Sequence, residues 1–470
     1  MIKRIFNAIS RRLARITPEQ TREVKGDELV GTNVQTYSGH QQGIHHRLIA
    51  KPALDTVFSL KRAGYDAYLV GGAVRDLMLG IEPKDFDIVT NASPDQVKKV
   101  FRHRCQLIGR RFRLAHVRYG RLVIEVATFR GGQDDSDPAR QVDESGRLVR
   151  DNVYGTMDED VWRRDFTINA LYYDPKRDQV IDYVAGHADL QAGQIALIGD
   201  PWVRYREDPV RMIRAVRFAA KLGFNLAPTT EAPIAELGSL LKEVSNARMF
   251  DEVLKLFHSG AAIIVFEKLR HYDLFKHLFP LTDDVLATES EHFPRQFVMA
   301  ALQSTDRRIA EDKPVNPAFL FAAMLWEPMM QARQDYLAEG LSPQDAMYAA
   351  AGDVLNIQCS HTAVPKRFTA QIRDIWNLQF RLHKRFGDRA ATLRAHPRFR
   401  AAYDFIGIRV AAGETELTEL FDWWTEYQDK DALEQVRFAH DVKKGAKPRR
   451  HKRSNRNFYR KKSDQFNAHD

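Results

Sequence analysis

A chain of 470 residues, 44% of them hydrophobic, has room for about three domains with sizeable cores. Its two cysteines, Cys105 and Cys359, lie far apart and outside metal-ligand spacing, which excludes a disulfide framework and a zinc site and makes a cytoplasmic protein the plain reading. The net charge of +9 is local, because eleven Lys or Arg and no Asp or Glu lie between Lys443 and Lys462, leaving the rest of the chain slightly acidic.

Near the N-terminus, Ile2, Ile5, Phe6, Ile9, Leu13 and Ile16 recur at helical spacing against Lys3, Arg4, Arg11, Arg12 and Arg15. The stretch has neither the apolar run nor the small-residue cleavage site of a signal peptide, and nothing in the chain is long and apolar enough to span a bilayer. Two readings stay open: peripheral contact with an anionic membrane, or docking on the protein's own body. Residues 18–50 are polar and mixed, so 1–50 reads as leader and linker.

A helix over 52–63 leads through Gly64 to a strand, Ala67–Val70. A glycine pair, Gly71 and Gly72, follows, then a short helix carrying Arg75, then a strand over 86–89. Ser93, Pro94 and Gln96 form a cap, a first-turn proline and a capping-box partner for a helix ending near Phe101. Strands fit 106–108, 113–118 and 122–128, the last two joined by a tight turn at Tyr119–Gly120. Residues 131–147 are polar and acidic and read as a surface loop, and a further strand fits 180–183 before a short connection from Gly186 to Ile198. Together 51–205 make an α/β head.

From Asp208–Pro209, a cap and first-turn proline, the apolar spacing becomes helical. Helices are expected around 230–242, 247–257, 259–270, 316–326, 344–355, 368–386 and 399–410, giving a helical neck over 206–285 and a helical body over 286–440. The basic run places a disordered tail over 441–470, where Phe458 and Tyr459 interleave with arginine in a combination suited to stacking on RNA bases. A clamp on RNA is the main reading of the tail, and docking of RNA-decay proteins is its rival.

The chemistry concentrates in three places. Asp85 and Asp87 alternate along an extended segment and so share a face, near the Gly71–Gly72 junction whose free N–H groups can hold phosphate. Two carboxylates so placed repel unless a cation lies between them, which points to Mg²⁺ (or Mn²⁺) with a nucleoside triphosphate. Glu125, set among Val123, Ile124 and Val126, is the candidate third ligand, since a carboxylate in such company needs a partner. Next, Arg163 and Arg164 follow the acidic run Asp158–Asp160 and face an anion, while Asp165 is either a further active-site carboxylate or the residue that orients Arg164. Lastly, on a helix from Asp208, Arg211 and Arg214 stand i,i+3 on one face, and Asp208 can accept from an adenine amino group. Intrahelical ion pairing is the plainer alternative for these arginines. A dinucleotide-binding fold is excluded: there is no Gly-x-Gly-x-x-Gly, and the Asp pair comes too soon after Gly72 for a ribose-binding acid.

The blocks Leu69–Asp76, Lys84–Asp87, Glu125–Arg130, Arg163–Asn169 and Arg206–Arg217 resemble the class II tRNA nucleotidyltransferase and bacterial poly(A) polymerase family of the polymerase-β-like superfamily, over about residues 60–420. The resemblance implies a palm-like nucleotidyltransferase head in which Asp85 and Asp87 bind metal and Asp165 is an active-site carboxylate. It also implies that Gly72 and Arg75 touch the triphosphate, and that Arg164, Asp208, Arg211 and Arg214 contact the incoming nucleotide. The segment 107–117, the run 315–320, Pro365–Arg367 and the basic tail resemble the poly(A) branch. The expected activity is therefore metal-dependent transfer of AMP from ATP to RNA 3′ ends by a monomer. CCA addition to tRNA is the alternative, and a non-enzymatic RNA-binding adaptor is a more distant one.

Overall fold

The computed structural model describes residues 34–109, 113–131, 140–142, 148–151, 154–288 and 293–442. The amphipathic N-terminal stretch, most of the acidic loop expected over 131–147, part of the 107–117 segment and the basic tail lie outside the described residues.

The head is built on a sheet of eight strands. In chain order these are β1 (Gln35–Ser38), β2 (Ala67–Val70), β3 (Asp87–Thr90), β4 (Cys105–Ile108), β5 (Leu114–Tyr119), β6 (Leu122–Thr128), β9 (Leu171–Asp174) and β10 (Gln179–Asp182), with a separate hairpin of β7 (Arg140–Val142) and β8 (Leu148–Asp151) between them. Across the sheet the order is β1-β10-β9-β2-β3-β6-β5-β4. The β3–β6 pairing is parallel, and its neighbours β2–β3 and β5–β6 are antiparallel. A parallel pair needs a crossover, supplied here by the helix Pro94–Phe101 and the β4–β5 hairpin. That helix carries the expected capping box, with Ser93 and Gln96 each bonding the other's backbone N–H.

The strand pattern in β6 is strict. Ile124, Val126 and Thr128 are buried while Glu125 between them is exposed, so alternation alone decides which side chain reaches solvent. On one face, Tyr68, Val70, Val89, Phe129, Val161, Ala170, Tyr172 and Ile198 form a continuous apolar cluster.

Several boundaries differ from expectation. The linker over 18–50 contains β1, which pairs with β10, and Ile44 and Ile49 are buried, so the head begins earlier than residue 51. Its polar sequence, Gln-Thr-Tyr-Ser, suits an edge strand whose backbone pairing on one side does the holding. The extended segment near the Asp pair is strand only from Asp87, and Asp85 precedes it. The connection from Gly186 to Ile198 contains a helix, Gly186–Ala192. A head–neck boundary at 205/206 would cut the helix Pro201–Glu207, and one at 285/286 would cut Pro280–Ala287. The helix expected over 230–242 is broken by Pro233 into Pro228–Glu231, Ile234–Leu237 and a 3₁₀ segment, Gly238–Glu243.

The body over 286–440 is not one unit. Its first part, with the helices Phe293–Ala310, Pro317–Met324, Trp326–Ala338 and Pro343–His361, belongs to the unit that contains the head. Residues 375–410 and 414–442 form a second compact unit. Its core gathers around Trp424, which stacks edge-on against Phe399 at 5.0 Å and donates its indole N–H to the Leu382 carbonyl at 3.1 Å. Buried Arg409 is satisfied there by Glu414 and Gln379. No helix among the described residues is long and apolar enough to cross a membrane.

Candidate active site

The site lies where β2 ends and β3 begins. Val70 closes β2 opposite Asp87, and the chain then turns through Gly71 into the helix Gly72–Met78. Gly71 sits at φ +72°, a conformation a Cβ would strain, and a Cβ there would come within 3.7 Å of Nη1 of Arg164. The backbone conformation of the turn, and not the space beside Arg164, is therefore what calls for glycine here. The Gly71 N–H itself donates to the Leu171 carbonyl, so any anion at this turn meets the N–H groups that follow it.

Parallel pairing of β3 with β6 sets Asp87 directly beside Glu125. Asp85, Asp87 and Glu125 are all exposed. Asp87 is open to solvent, yet its protein surroundings strip enough water to push its carboxyl above the usual range; Glu125 and Asp85 push the same way, while Arg164 opposes them. The mutual repulsion is the condition a bound cation would relieve, and hard carboxylate oxygens are the donors Mg²⁺ prefers. The three are neighbours in charge, but among the described residues no three such side chains are gathered as closely as a formed metal site. Glu125 corrects its expected environment. Its side chain is 52% exposed and approaches His116 Nε2 at 3.4 Å, so the strand's alternation, and not an apolar pocket needing relief, explains its position.

The arginines stand differently. Arg164 donates from Nε and Nη2 to Oδ2 of Asp160 at 3.1 and 2.9 Å, and from Nε to the Tyr172 hydroxyl at 3.0 Å. The Tyr172 hydroxyl in turn donates to the same carboxylate oxygen at 2.7 Å. Although burial disfavours its charge, Tyr172 and Asp160 hold the Arg164 pKa above its ordinary value. Asp160, not Asp165, is therefore what orients Arg164.

Asp165 holds Arg214. It accepts from Nε of Arg214 at 2.9 Å and from Nη2, and its other oxygen takes the Phe166 N–H at 2.8 Å and the Asn169 amide at 3.3 Å. Burial works against its charge, but Arg214 and these donors keep its pKa below the usual carboxylate value. Its carboxylate is thus taken up by Arg214, the Phe166 N–H and the Asn169 amide. Asn169 also accepts from Nη1 of Arg75 at 2.5 Å, and Asp76 accepts from its Nε and Nη2, so Arg75 is buried beside Gly72 with one hydrogen bond at each guanidinium nitrogen and two N–H groups left over.

Of the remaining candidates, Arg211 is engaged by Glu207 at 3.0 Å and by the Arg204 carbonyl at 2.7 Å, the local pairing that the sequence left as an alternative. Asp208 caps the end of Pro201–Glu207 and accepts from Arg248 at 2.7 Å. Asp160, Tyr172 and Asn169 were not recognised as positioning residues. The sign flip from Asp158–Asp160 to Arg163–Arg164 was the available signal for Asp160.

Family models agree with this layout: "Poly A polymerase head domain" matches residues 67–196, "Probable RNA and SrmB- binding site of polymerase A" matches 223–286, and "Polymerase A arginine-rich C-terminus" matches 339–457. A protein of Salmonella typhi named poly(A) polymerase I is 48% identical over 415 residues, covering 87% of this chain and 89% of that one. This chain belongs to the bacterial poly(A) polymerase I family. It is an enzyme of the nucleotidyltransferase type, with an α/β head followed by a helical remainder. A CCA-adding enzyme of Lactobacillus helveticus is 40% identical, but over only 46% of this chain and 52% of its own length. A solved Thermotoga maritima CCA-adding enzyme with tRNA superposes with a TM-score of 0.55 over 84% of this chain and 86% of its own, at 19% identity, which speaks for the fold alone.

Proposed function

We propose that the chain extends RNA 3′ ends without a template, transferring AMP from ATP to the terminal 3′-hydroxyl with release of pyrophosphate. The observation that carries this is the parallel Asp87–Glu125 register, with Asp85 two residues upstream and Arg164 opposing them across the Gly71 turn. One side of the site concentrates negative charge where a cation and the attacking 3′-hydroxyl would sit, and the other presents fixed cations where a triphosphate would sit. Extensive similarity to relatives named poly(A) polymerase I, against partial similarity to CCA-adding enzymes, supports polyadenylation over CCA addition.

Asp85, Asp87 and Glu125 would hold Mg²⁺ (or Mn²⁺), which would supply charge neutralisation and acidify the attacking hydroxyl. The chain's own groups do the positioning. Arg75 and Arg164, each locked by a buried partner, orient the phosphates without reorganising during reaction, and Arg214, held by Asp165, fixes the nucleotide from the helix Val210–Leu222. Asp208, released from Arg248, can meet the adenine amino group.

The reading extends to a monomeric cytoplasmic enzyme acting on RNA bound for decay, with RNA-decay proteins and a membrane surface as further contacts. The test is incubation of the purified enzyme with unstructured RNA and one nucleoside triphosphate at a time. A long ladder with ATP alone is expected, and products limited to CCA on tRNA would overturn the assignment.

A further inference from the structure

Beside the helix Val210–Leu222, a cavity of about 250 Å³ opens between Lys84, Arg217, Lys221, Lys255 and His258. It is smaller than the roughly 300–1,000 Å³ of clefts that take whole organic ligands. Among the described residues, Lys84, Arg217 and Lys221 make no side-chain hydrogen bond or ion pair. The Arg217 Nε and the His258 Nε2 are buried without any partner.

The acids of the cavity are mostly committed elsewhere. Asp76 is bound to Arg75 at 2.6 Å, and Asp306 accepts the N–H groups of Ala262 and Ile263 at 2.8 and 3.3 Å. That capping also means that the start of the helix Ala262–His271 offers nothing further to a ligand. Lys255 pairs with Glu252 at 2.8 Å, and Glu82 is exposed. Lys84, Arg217 and Lys221 thus have no side-chain hydrogen-bond or ion-pair partner among the described residues, while Asp76 still supports the Lys221 charge from beside Arg75, and Glu82 and Asp306 complete the acids of the wall.

Their crowding has a cost. Arg217 is pushed down to about 10, first by burial and then by Arg214, and Lys221 is lowered by burial, with Arg75, Arg217 and Lys84 adding to the effect and Asp76 opposing it. Burial also lowers His258, leaving a neutral imidazole. Cations held together without partners are expensive unless an anion answers them. The helix explains their placement, since Arg214, Arg217 and Lys221 follow at i, i+3 and i+7 on one face while Ile213, Val216 and Ala220 are buried.

We propose that this cavity is a phosphate-binding subsite, distinct from the nucleotide position, in which Lys84, Arg217 and Lys221 hold a phosphoryl group of the leaving pyrophosphate or of the RNA backbone. His258 adds a neutral hydrogen-bonding nitrogen at its wall. The inference rests on the adenylyltransferase reading only for the source of the phosphate, because binding is measured without turnover.

The test titrates the full-length enzyme in EDTA with inorganic pyrophosphate, a short oligoadenylate and ATP in turn, using wild type, Lys221→Gln and Lys221→Arg. Lys221→Gln is expected to weaken pyrophosphate or oligoadenylate about tenfold, the scale of one charge-assisted contact, and to leave ATP within about twofold. Lys221→Arg should restore most of the loss, and the thermal shift that pyrophosphate or oligoadenylate gives wild type should shrink only in the Gln variant. Loss for pyrophosphate alone identifies the leaving group, and loss for oligoadenylate alone identifies the RNA backbone. Unchanged affinity for both overturns the subsite, as does an equal loss for ATP, which would merge these residues with the nucleotide site. Either failure leaves the incorporation assay with RNA and ATP standing as the separate test of the activity.

Discussion

The two sides of the active site are built on opposite electrostatic plans. On the arginine side, each guanidinium has a partner already in place: Asp160 and Tyr172 for Arg164, Asp165 for Arg214, Asn169 and Asp76 for Arg75. On the carboxylate side, Asp85, Asp87 and Glu125 face solvent and one another, and Asp87 bears the repulsion as a raised pKa. One half is structurally complete without ligand, whereas the other is stable only in company. Fixed dipoles and charges serve catalysis best when no reorganisation is left for the reacting moment, which suits the half proposed to face phosphate. On the same proposal the other half would accept and release a cation, for which a carboxylate already neutralised by a fixed partner would be useless.

If this contrast is right, the two halves respond to mutation in opposite ways. The largest effect is expected on the carboxylate side and in activity alone. Asp87→Ala should lower AMP incorporation by at least about 10²–10³-fold, the scale of losing one group that stabilises transition-state charge. Its melting temperature without divalent cation should hold or rise, because a repulsive charge is gone. Single-nucleotide extension and calorimetry check the two halves of the statement, and normal tailing would remove Asp87 from the mechanism.

On the arginine side the order reverses, and stability moves with activity. Asp165→Ala leaves Arg214 without its partner, a loss of about 3–5 kcal/mol by the usual cost of stranding one member of a largely buried pair. With the pair 13% and 29% exposed, the lower end of that range applies. Denaturant unfolding measures it, and an unchanged midpoint would show that the pair contributes nothing to the fold. A milder cut is Tyr172→Phe, which removes one hydroxyl from the Asp160–Arg164 unit and should cost about 1 kcal/mol. It should raise KM for ATP more than it lowers kcat, since Asp160 still holds the guanidinium.

How much of this was legible in the sequence follows the same division. The local placement of the carboxylates was partly legible: Asp85 and Asp87 are two residues apart, and β6 spans the predicted 122–128, but its alternation exposes Glu125, which its apolar neighbours in the sequence had suggested was enclosed. The distant partners of the arginines were not readable. Asp165 meets Arg214 across 49 residues and Arg75 meets Asn169 across 94, and only the folded sheet brings them together. Strand β9, Leu171–Asp174, was missed for a related reason: all of it is buried, so no alternation marks it. The helix Thr418–Asp429 is absent from the expected elements although Leu420, Phe421, Trp424 and Tyr427 recur at helical spacing against exposed acids, so its signal was present in the sequence.

The smallest expected effect is the one that separates the two plans most directly, through pH. Asp87 has a folded pKa above its unfolded value, so it destabilises the metal-free fold when ionised, and that penalty is relieved as pH falls through its raised pKa. Asp165 has a folded pKa below its unfolded value, so its contribution is present above the unfolded pKa and is lost as pH falls through the folded one. Acidification should therefore relax the carboxylate side before it breaks the arginine side. Glu125→Gln tests the first step, because it removes the larger of the two acidic neighbours acting on Asp87 while keeping the shape of the strand. In the variant the Asp87 titration, followed by carboxyl NMR without divalent cation, should move down toward the ordinary carboxylate range. The Asp165 titration, which has no Glu125 among its neighbours, should stay where it is. If the Asp87 titration does not move, the Asp87–Glu125 register does not couple their charges, and the contrast between the two halves fails at its first link.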